Sequence, residues 1–256
     1  MTRPFLLVQL SDPHIGATWG GAADPVAGLA ATVEAVRRLP DVPDAVLMSG
    51  DLADNAADGE YEIVREQLAR IGAPAYVLPG NHDDRDALRR HFDLPGASGT
   101  PVQYSADLGP LRLVLLDSIR PGEEPGELPA DRLSWLDAEL ALVPDRPTLV
   151  ALHHQPVSTG IPAWDESGLP VADRRALGDV LARHPQVRRV VSGHAHRTFA
   201  GELAGRAVLV APSTYVQLRL DFSGEIEVAA DPPGFAVHAL LDGELASHVQ
   251  PVTAGQ

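Results

Sequence analysis

The chain has 256 residues, 45% of them hydrophobic but only 5% aromatic, and a formal net charge of −15 at pH 7. That length suits one large domain over residues 1–256 with a core of Leu, Val and Ala, and so acidic a chain has no basic stripe to displace counterions, which excludes a nucleic-acid polymer as partner. All 20 basic residues are Arg and there is no Cys, so disulfides and thiolate metal sites are excluded as well.

The apolar run Phe5–Leu10 reads as the first strand. It is too short for a signal-peptide core, and no stretch approaches a membrane span, so a soluble cytoplasmic protein with no membrane partner is expected. Pro25–Leu39 reads as a helix, with Val26, Leu29, Val33 and Val36 at helical spacing. Then follow a strand over Ala45–Ser49, a helix over Glu60–Ile71, a strand over Ala75–Leu78 and a short helix over Asp83–Phe92 that opens with acids, as its dipole favours. The second half gives strands over Leu111–Leu116, Thr148–Leu152, Arg188–Val191 and Ala207–Val210, with helices over Asp131–Leu142 and Asp173–His184. Phe235–Leu241 and Leu245–Val249 flank Asp242-Gly243-Glu244, a hairpin signal. Strands alternating with helices imply a largely parallel sheet covered on both faces. The β-rich segment of about 212–256 is expected to complete a second sheet or to form an oligomer contact.

Five short motifs follow these strands: Asp12-Pro13-His14, Gly50-Asp51-Leu52-Ala53-Asp54, Gly80-Asn81-His82-Asp83, His153-His154-Gln155-Pro156 and Gly193-His194-Ala195-His196. Strand ends on one sheet edge can converge. Asp12 and His14 are two apart, so in an extended segment they face the same way; a surface Asp-Pro turn is the alternative. Gly50 permits a tight turn off the strand, which leaves Asp51 at the sheet edge, where a carboxylate can bridge two cations. Asp54 reads as a supporting or turn residue. Asn81 is one of only two Asn in the chain, and its amide oxygen is a neutral ligand. His82 is placed to hydrogen-bond a phosphate oxygen or leaving group. His153 and His154 diverge on a strand end, so one faces the metals and the other packs. His194 and His196 repeat the spacing of Asp12 and His14. His91, His184, His238 and His248 have no such context and read as structural or solvent-facing. Seven N and O ligands with one shared make two metal sites, and a two-metal site acts above all on phosphate esters. The segment 156–171 is expected to overhang this cleft. Its Trp164, like Trp19, is open between stacking on a base and packing its own loop.

In this order the motifs D-x-H, G-D-x-x-D, G-N-H-D, H-H-x-P and G-H-x-H resemble the calcineurin-like metallophosphoesterase superfamily, over about residues 5–250. Within it the chain is similar to the bacterial class III cyclic nucleotide phosphodiesterases, with glycerophosphodiesterases as near neighbours. Two late features, Pro212–Gln217 and Pro232–Phe235 leading into Asp242-Gly243, favour the cyclic nucleotide branch. The resemblance implies an α/β fold, a four-layer αββα sandwich of two mixed sheets flanked by helices. It implies that Asp12, His14, Asp51 and His196 hold one metal and Asp51, Asn81, His153 and His194 the other, with Asp51 bridging and His154 outside the set. Catalytic roles fall to Asp51, Asn81 and His82. The two divalent ions, Mn2+, Fe2+/Fe3+ or Zn2+, suit N and O donors; about 3.5–4 Å apart, they would clamp the phosphate and share a hydroxide that attacks phosphorus in line. The expected reaction is hydrolysis of 3′,5′-cyclic nucleotides, cyclic AMP foremost, or else of glycerophosphodiesters or aryl diesters. A non-enzymatic scaffold of this fold would have shed ligands, and this chain keeps all seven. A homodimer or larger homo-oligomer is a further expectation of the resemblance.

Overall fold

A computed structural model describes residues 3–253, so the extreme ends of the expected 1–256 domain and 212–256 segment lie outside the described residues. Eleven strands and six helices alternate along them. β1 (Phe5–Leu10), β2 (Ala45–Ser49) and β3 (Ala75–Leu78) are parallel neighbours in the first sheet, and β10 (Gly234–Leu241) and β11 (Glu244–Pro251) extend it antiparallel beyond β1. The second sheet runs β4 (Tyr104–Asp107), β5 (Arg112–Leu115), β6 (Thr148–Ala151), β7 (Val187–Ser192), β9 (Arg206–Val210), β8 (Phe199–Leu203), with antiparallel strands at both edges of a parallel centre.

Three apolar layers hold the sandwich together. Leu7, Leu47 and Leu78 of the first sheet meet Leu113, Leu149 and Val191 of the second, all fully buried. Helices α1 (Pro25–Arg37), α2 (Asp58–Ala69) and α3 (Arg85–His91) cover the outer face of the first sheet through Leu29, Val33, Val64 and Leu88. Helices α4 (Ala130–Ala141) and α6 (Val171–Ala182) cover the second through Leu136, Leu140, Leu177 and Leu181. Each such side chain contributes about 1.5–3 kcal/mol on burial. Two mixed sheets between helical layers are the αββα arrangement expected.

Local chemistry sets the boundaries. The Asp24 carboxylate accepts the N–H groups of Val26 and Ala27 and starts α1 at Pro25. Asp84, not Asp83, caps α3, accepting from Ala87 N–H at 2.7 Å. Asp83 is drawn out of that helix because its carboxylate is used elsewhere. Asp242 and Gly243 both have positive φ, 51° and 82°, as a type I′ hairpin turn requires. The hairpin nonetheless departs from expectation: it completes the sheet that β1 begins, because β1 has an open edge and β10 supplies a buried antiparallel partner for it. The second sheet is assembled from the middle of the chain instead. Three elements are absent from the sequence reading. β4 and β8 are half-buried edge strands without a continuous apolar run, and α5 (Pro162–Ser167) has six residues and buries only Trp164. No helix among the described residues is long and apolar enough to cross a membrane.

Candidate metal centre

The ends of β1, β2, β3, β6 and β7 meet where the two sheets adjoin. Asp12, His14, Asp51, His153 and His196 are buried there, with Asn81 and His194 half-buried. The convergence is not the extended alternation that the i, i+2 spacing suggests. Asp12, His14, Asp51, His194 and His196 have φ of 51°, 43°, 51°, 70° and 47°. Side chains with a Cβ avoid this left-handed region, and they persist in it only where the surroundings over-determine them. Backbone bonds from Asp12 N–H to Gly50 O and from His14 N–H to Asp51 O, 3.1 and 3.0 Å, lock the first two turns together. Two glycines make room: a Cβ on Gly50 would come within 2.3 Å of His153 Nδ1, and one on Gly193 within 1.9 Å of Ser11 Oγ.

The side chains present ligand atoms to one another. Asp51 Oδ2 lies 3.3 Å from His14 Nε2 and 3.3 Å from His153 Nε2. On one side of it, His14 Nε2 and His196 Nε2 are 2.9 Å apart, and Asp12 Oδ1 is 3.7 Å from the latter. On the other, His153 Nε2 is 3.2 Å from both Asn81 Oδ1 and His194 Nδ1. Groups drawn from Asp12, His14 and His196, and from Asp12, Asp51 and His153, keep their ligand atoms within 4.8 Å of one another.

The hydrogen bonds behind the rings decide what these atoms are. His14 Nδ1–H donates to Asp54 Oδ1 at 3.0 Å, His153 Nδ1–H to the Ser49 carbonyl at 2.9 Å and His196 Nδ1–H to the Val216 carbonyl at 3.0 Å. A carbonyl and an ionised carboxylate can only accept, so each neutral ring carries its proton on Nδ1 and turns the Nε2 lone pair inward. Two inward lone pairs 2.9 Å apart repel unless positive charge lies between them. The donor set therefore fits divalent cations. The electrostatics agree. Burial opposes charge on His14 and His153, but Asp51 and Asp12, joined by Asp54 at His14, overcome it and raise both, His153 to about 9. Burial also opposes ionisation of Asp51, yet His153 and His14 hold it well below the usual carboxylate range. His196 is lowered to about 4, because burial outweighs the pull of Asp12 and Asp51.

Neighbouring residues divide into supports and bystanders. His154 is fully buried and has both ring nitrogens engaged, with Ser118 Oγ at 2.8 Å and the Glu124 carbonyl at 3.0 Å; burial and then His153 lower it to about 3. Asp54 accepts from His14 and also from Trp19 Nε1 at 3.1 Å. Asp83 accepts the backbone N–H groups of Gly80, Leu52 and Ala53 at 2.8, 3.1 and 3.1 Å, tying the Asp51 loop to the Asn81 loop. Burial, with Asp51 next, raises its pKa to about 6. This clamp has no sequence signal beyond its place in the Gly80–Asp83 motif. His82 donates Nδ1–H to the Asp54 carbonyl at 3.1 Å, and its Nε2 has no hydrogen-bond partner among the described residues beside the cleft. His238, fully buried, bonds Gln9 Oε1 and Ser247 Oγ at 3.0 and 2.6 Å. Above the cluster opens a cavity of about 160 Å³, lined by His14, Asp51, Asn81, His82, His194 and His196 and rimmed by Trp19, Trp164, Leu218 and Ile226.

A buried cage of carboxylate, amide and imidazole donors between two sheets of an αββα sandwich defines the class. The chain belongs to the calcineurin-like phosphoesterase family, whose sequence pattern matches residues 5–198. It is 35% identical over 215 residues to the 3′,5′-cyclic adenosine monophosphate phosphodiesterase CpdA of Pseudomonas aeruginosa, across 83% of this chain and 77% of that protein. It is 32% identical over 241 residues to a probable glycerophosphodiester phosphodiesterase, GpdQ, of Arcobacter nitrofigilis, across 91% of this chain and 88% of that one. A dimetal phosphatase from Danio rerio has the same fold, with a TM-score of 0.73 at 17% identity over 98% of both chains.

Proposed function

We propose that this protein is a two-metal phosphodiesterase of 3′,5′-cyclic nucleotides, with cyclic AMP as the favoured substrate. The observation that carries the reading is Asp51 Oδ2, 3.3 Å from an inward-facing imidazole nitrogen on each side. One carboxylate oxygen so placed suits a shared ligand. Asp12, His14, Asp51 and His196 would hold one cation, and Asp51, Asn81, His153 and His194 the other. When bound, two such cations neutralise the non-bridging oxygens of a phosphodiester and make water nucleophilic near neutral pH. Nitrogen and oxygen donors without thiolate suit Mn2+, Fe2+/Fe3+ or Zn2+.

The chain's own groups supply orientation and the proton. Asp54, Ser49 O and Val216 O hold three imidazoles in register. A protonated His82 keeps Nδ1–H on the Asp54 carbonyl and offers Nε2–H to a phosphate oxygen or to the departing alkoxide. Relatives named as cyclic nucleotide and cyclic AMP phosphodiesterases support the substrate class. A second reading, hydrolysis of glycerophosphodiesters, rests on the relatives named for that activity. The exposed Leu220, Phe222, Ile226 and Val228 support a homo-oligomer formed through the late segment, which sedimentation at several concentrations tests.

A panel of cyclic AMP, cyclic GMP, glycerophosphodiesters, an aryl diester and phosphomonoesters at fixed Mn2+ tests the function. Cyclic nucleotides are expected to give the highest kcat/KM. Negligible cyclic AMP turnover beside fast glycerophosphodiester turnover would overturn the choice of substrate.

A further inference from the structure

The rim of the cleft holds two tryptophans with opposite fates. Trp164 is 4% exposed, lies near-parallel to Phe199 with ring centres 6.4 Å apart, and packs with Ile161, Ala195 and Val210. Its ring is committed to the fold. Trp19 is 45% exposed, and yet it is not loose. Its indole N–H donates to Asp54 Oδ1 at 3.1 Å, and its ring meets those of His14 and Tyr215 edge-on, at 5.3 and 5.1 Å. The turn that carries it is pinned on both sides, by Ala17 N–H on the His14 carbonyl and by Gly20 N–H on Tyr215 Oη, each at 2.9 Å. A large apolar ring held in one pose and left open to water gains nothing for folding from its open area. It does remove the ordering cost of binding a partner.

We propose that Trp19 is the platform on which the substrate's base stacks, and that it sets a preference for nucleotides over ring-free diesters. The inference rests on the two-metal reading for the position of the phosphate: Trp19 touches His14, so a phosphate held at the cluster puts the nucleoside beside the indole. Leu218 and Ile226 line the same cavity and add apolar surface. The lining includes no Arg and does include Glu124, which disfavours a second phosphate group and suits an uncharged ring. Every base offers a π-face, so Trp19 selects for a base without choosing among them.

Because Trp19 also donates to Asp54, removing it perturbs the His14 support. The comparison is therefore between two variants that both lose the N–H. Trp19→Phe keeps an aromatic face and Trp19→Leu does not. Binding of AMP and of ribose 5-phosphate to the Mn2+-loaded protein isolates the base, since the two ligands share ribose and phosphate. Wild type and Trp19→Phe are expected to prefer AMP by about tenfold or more, within the range of one base–aromatic stack, and Trp19→Leu to lose most of that preference. An AMP preference retained in Trp19→Leu, or absent in wild type, overturns the proposal. Equal weakening of both ligands in both variants also overturns it, by showing that Trp19 acts only through Asp54. Wild-type turnover of cyclic AMP is measured in parallel; its absence would sink the choice of reaction while leaving the base preference tested.

Discussion

The floor of the cleft and its rim are built on different terms. The floor is buried, strained and cross-braced: five of its residues sit at positive φ, and three of its imidazoles are held by an acceptor behind the ring. The rim is more open: Trp164 is packed into the fold, but Trp19 and Ile226 are exposed on loops. Strain of this kind survives only where surrounding contacts enforce it, so the floor tolerates little change and its chemistry is set. Apart from Trp19, which braces His14 through Asp54, the rim can vary without disturbing the floor, and there discrimination between substrates can be adjusted.

The largest effect is expected at Asp51, the carboxylate proposed to be shared. Asp51→Ala removes an oxygen from both proposed sites, and kcat/KM is expected to fall at least about a thousandfold, roughly 4 kcal/mol of barrier. A loss under tenfold in steady-state kinetics would show that Asp51 is not shared. Asn81→Ala separates the halves of the floor: elemental analysis should find one cation depleted and the other kept. Retention of both would remove Asn81 from the set. Asp54→Ala touches no cation directly. Its effect runs through His14, so Mn2+ affinity by titration calorimetry should weaken about 10–100-fold. Unchanged affinity would mean that His14 needs no brace.

The seven ligand-type residues are legible in the sequence because each follows an apolar run that forms a strand, and the expected bounds of all five strands agree with the structure to within a residue at each end. What holds them is not legible. Positive φ at Asp12 or His196 leaves no compositional mark. The Asp83 clamp joins backbone N–H groups 3 to 31 residues away, and nothing local in Gly80–Asp83 predicts it. The two tryptophans were equivalent on sequence because burial, and not spacing, distinguishes them. Asp242-Gly243 marks the hairpin but not its sheet: it joins β1 and not the second sheet, since strand partners are chosen by open edges in three dimensions. Edge strands β4 and β8 leave no sequence signal because pairing on one side only requires no apolar run.

Further from the cluster the expected effects shrink. His238 is held neutral by burial, with Arg189 adding to the effect, and its pKa is lowered to about 3. A lowered folded-state value means stability that is full above the unfolded value of about 6.5 and is lost as pH falls toward 3. In urea unfolding between pH 6 and 4, His238→Leu should flatten the slope by about 1.4 kcal/mol per pH unit, whatever its cost at pH 7. An unchanged slope would mean that His238 is already charged in the fold. The smallest effect belongs to the rim: Ile226 is 53% exposed, and Ile226→Ser should change stability by no more than about 0.5 kcal/mol. A larger loss by thermal unfolding would show that the rim is braced like the floor.

The central claim is that Asp51 sits between two cations. Crystals grown with Mn2+ and measured at the manganese absorption edge test it directly. Two anomalous peaks are expected about 3.5–4 Å apart, one on each side of Asp51 Oδ2, the first against His14 and His196 and the second against His153 and His194. A single peak, or two peaks with Asp51 touching only one, would contradict it.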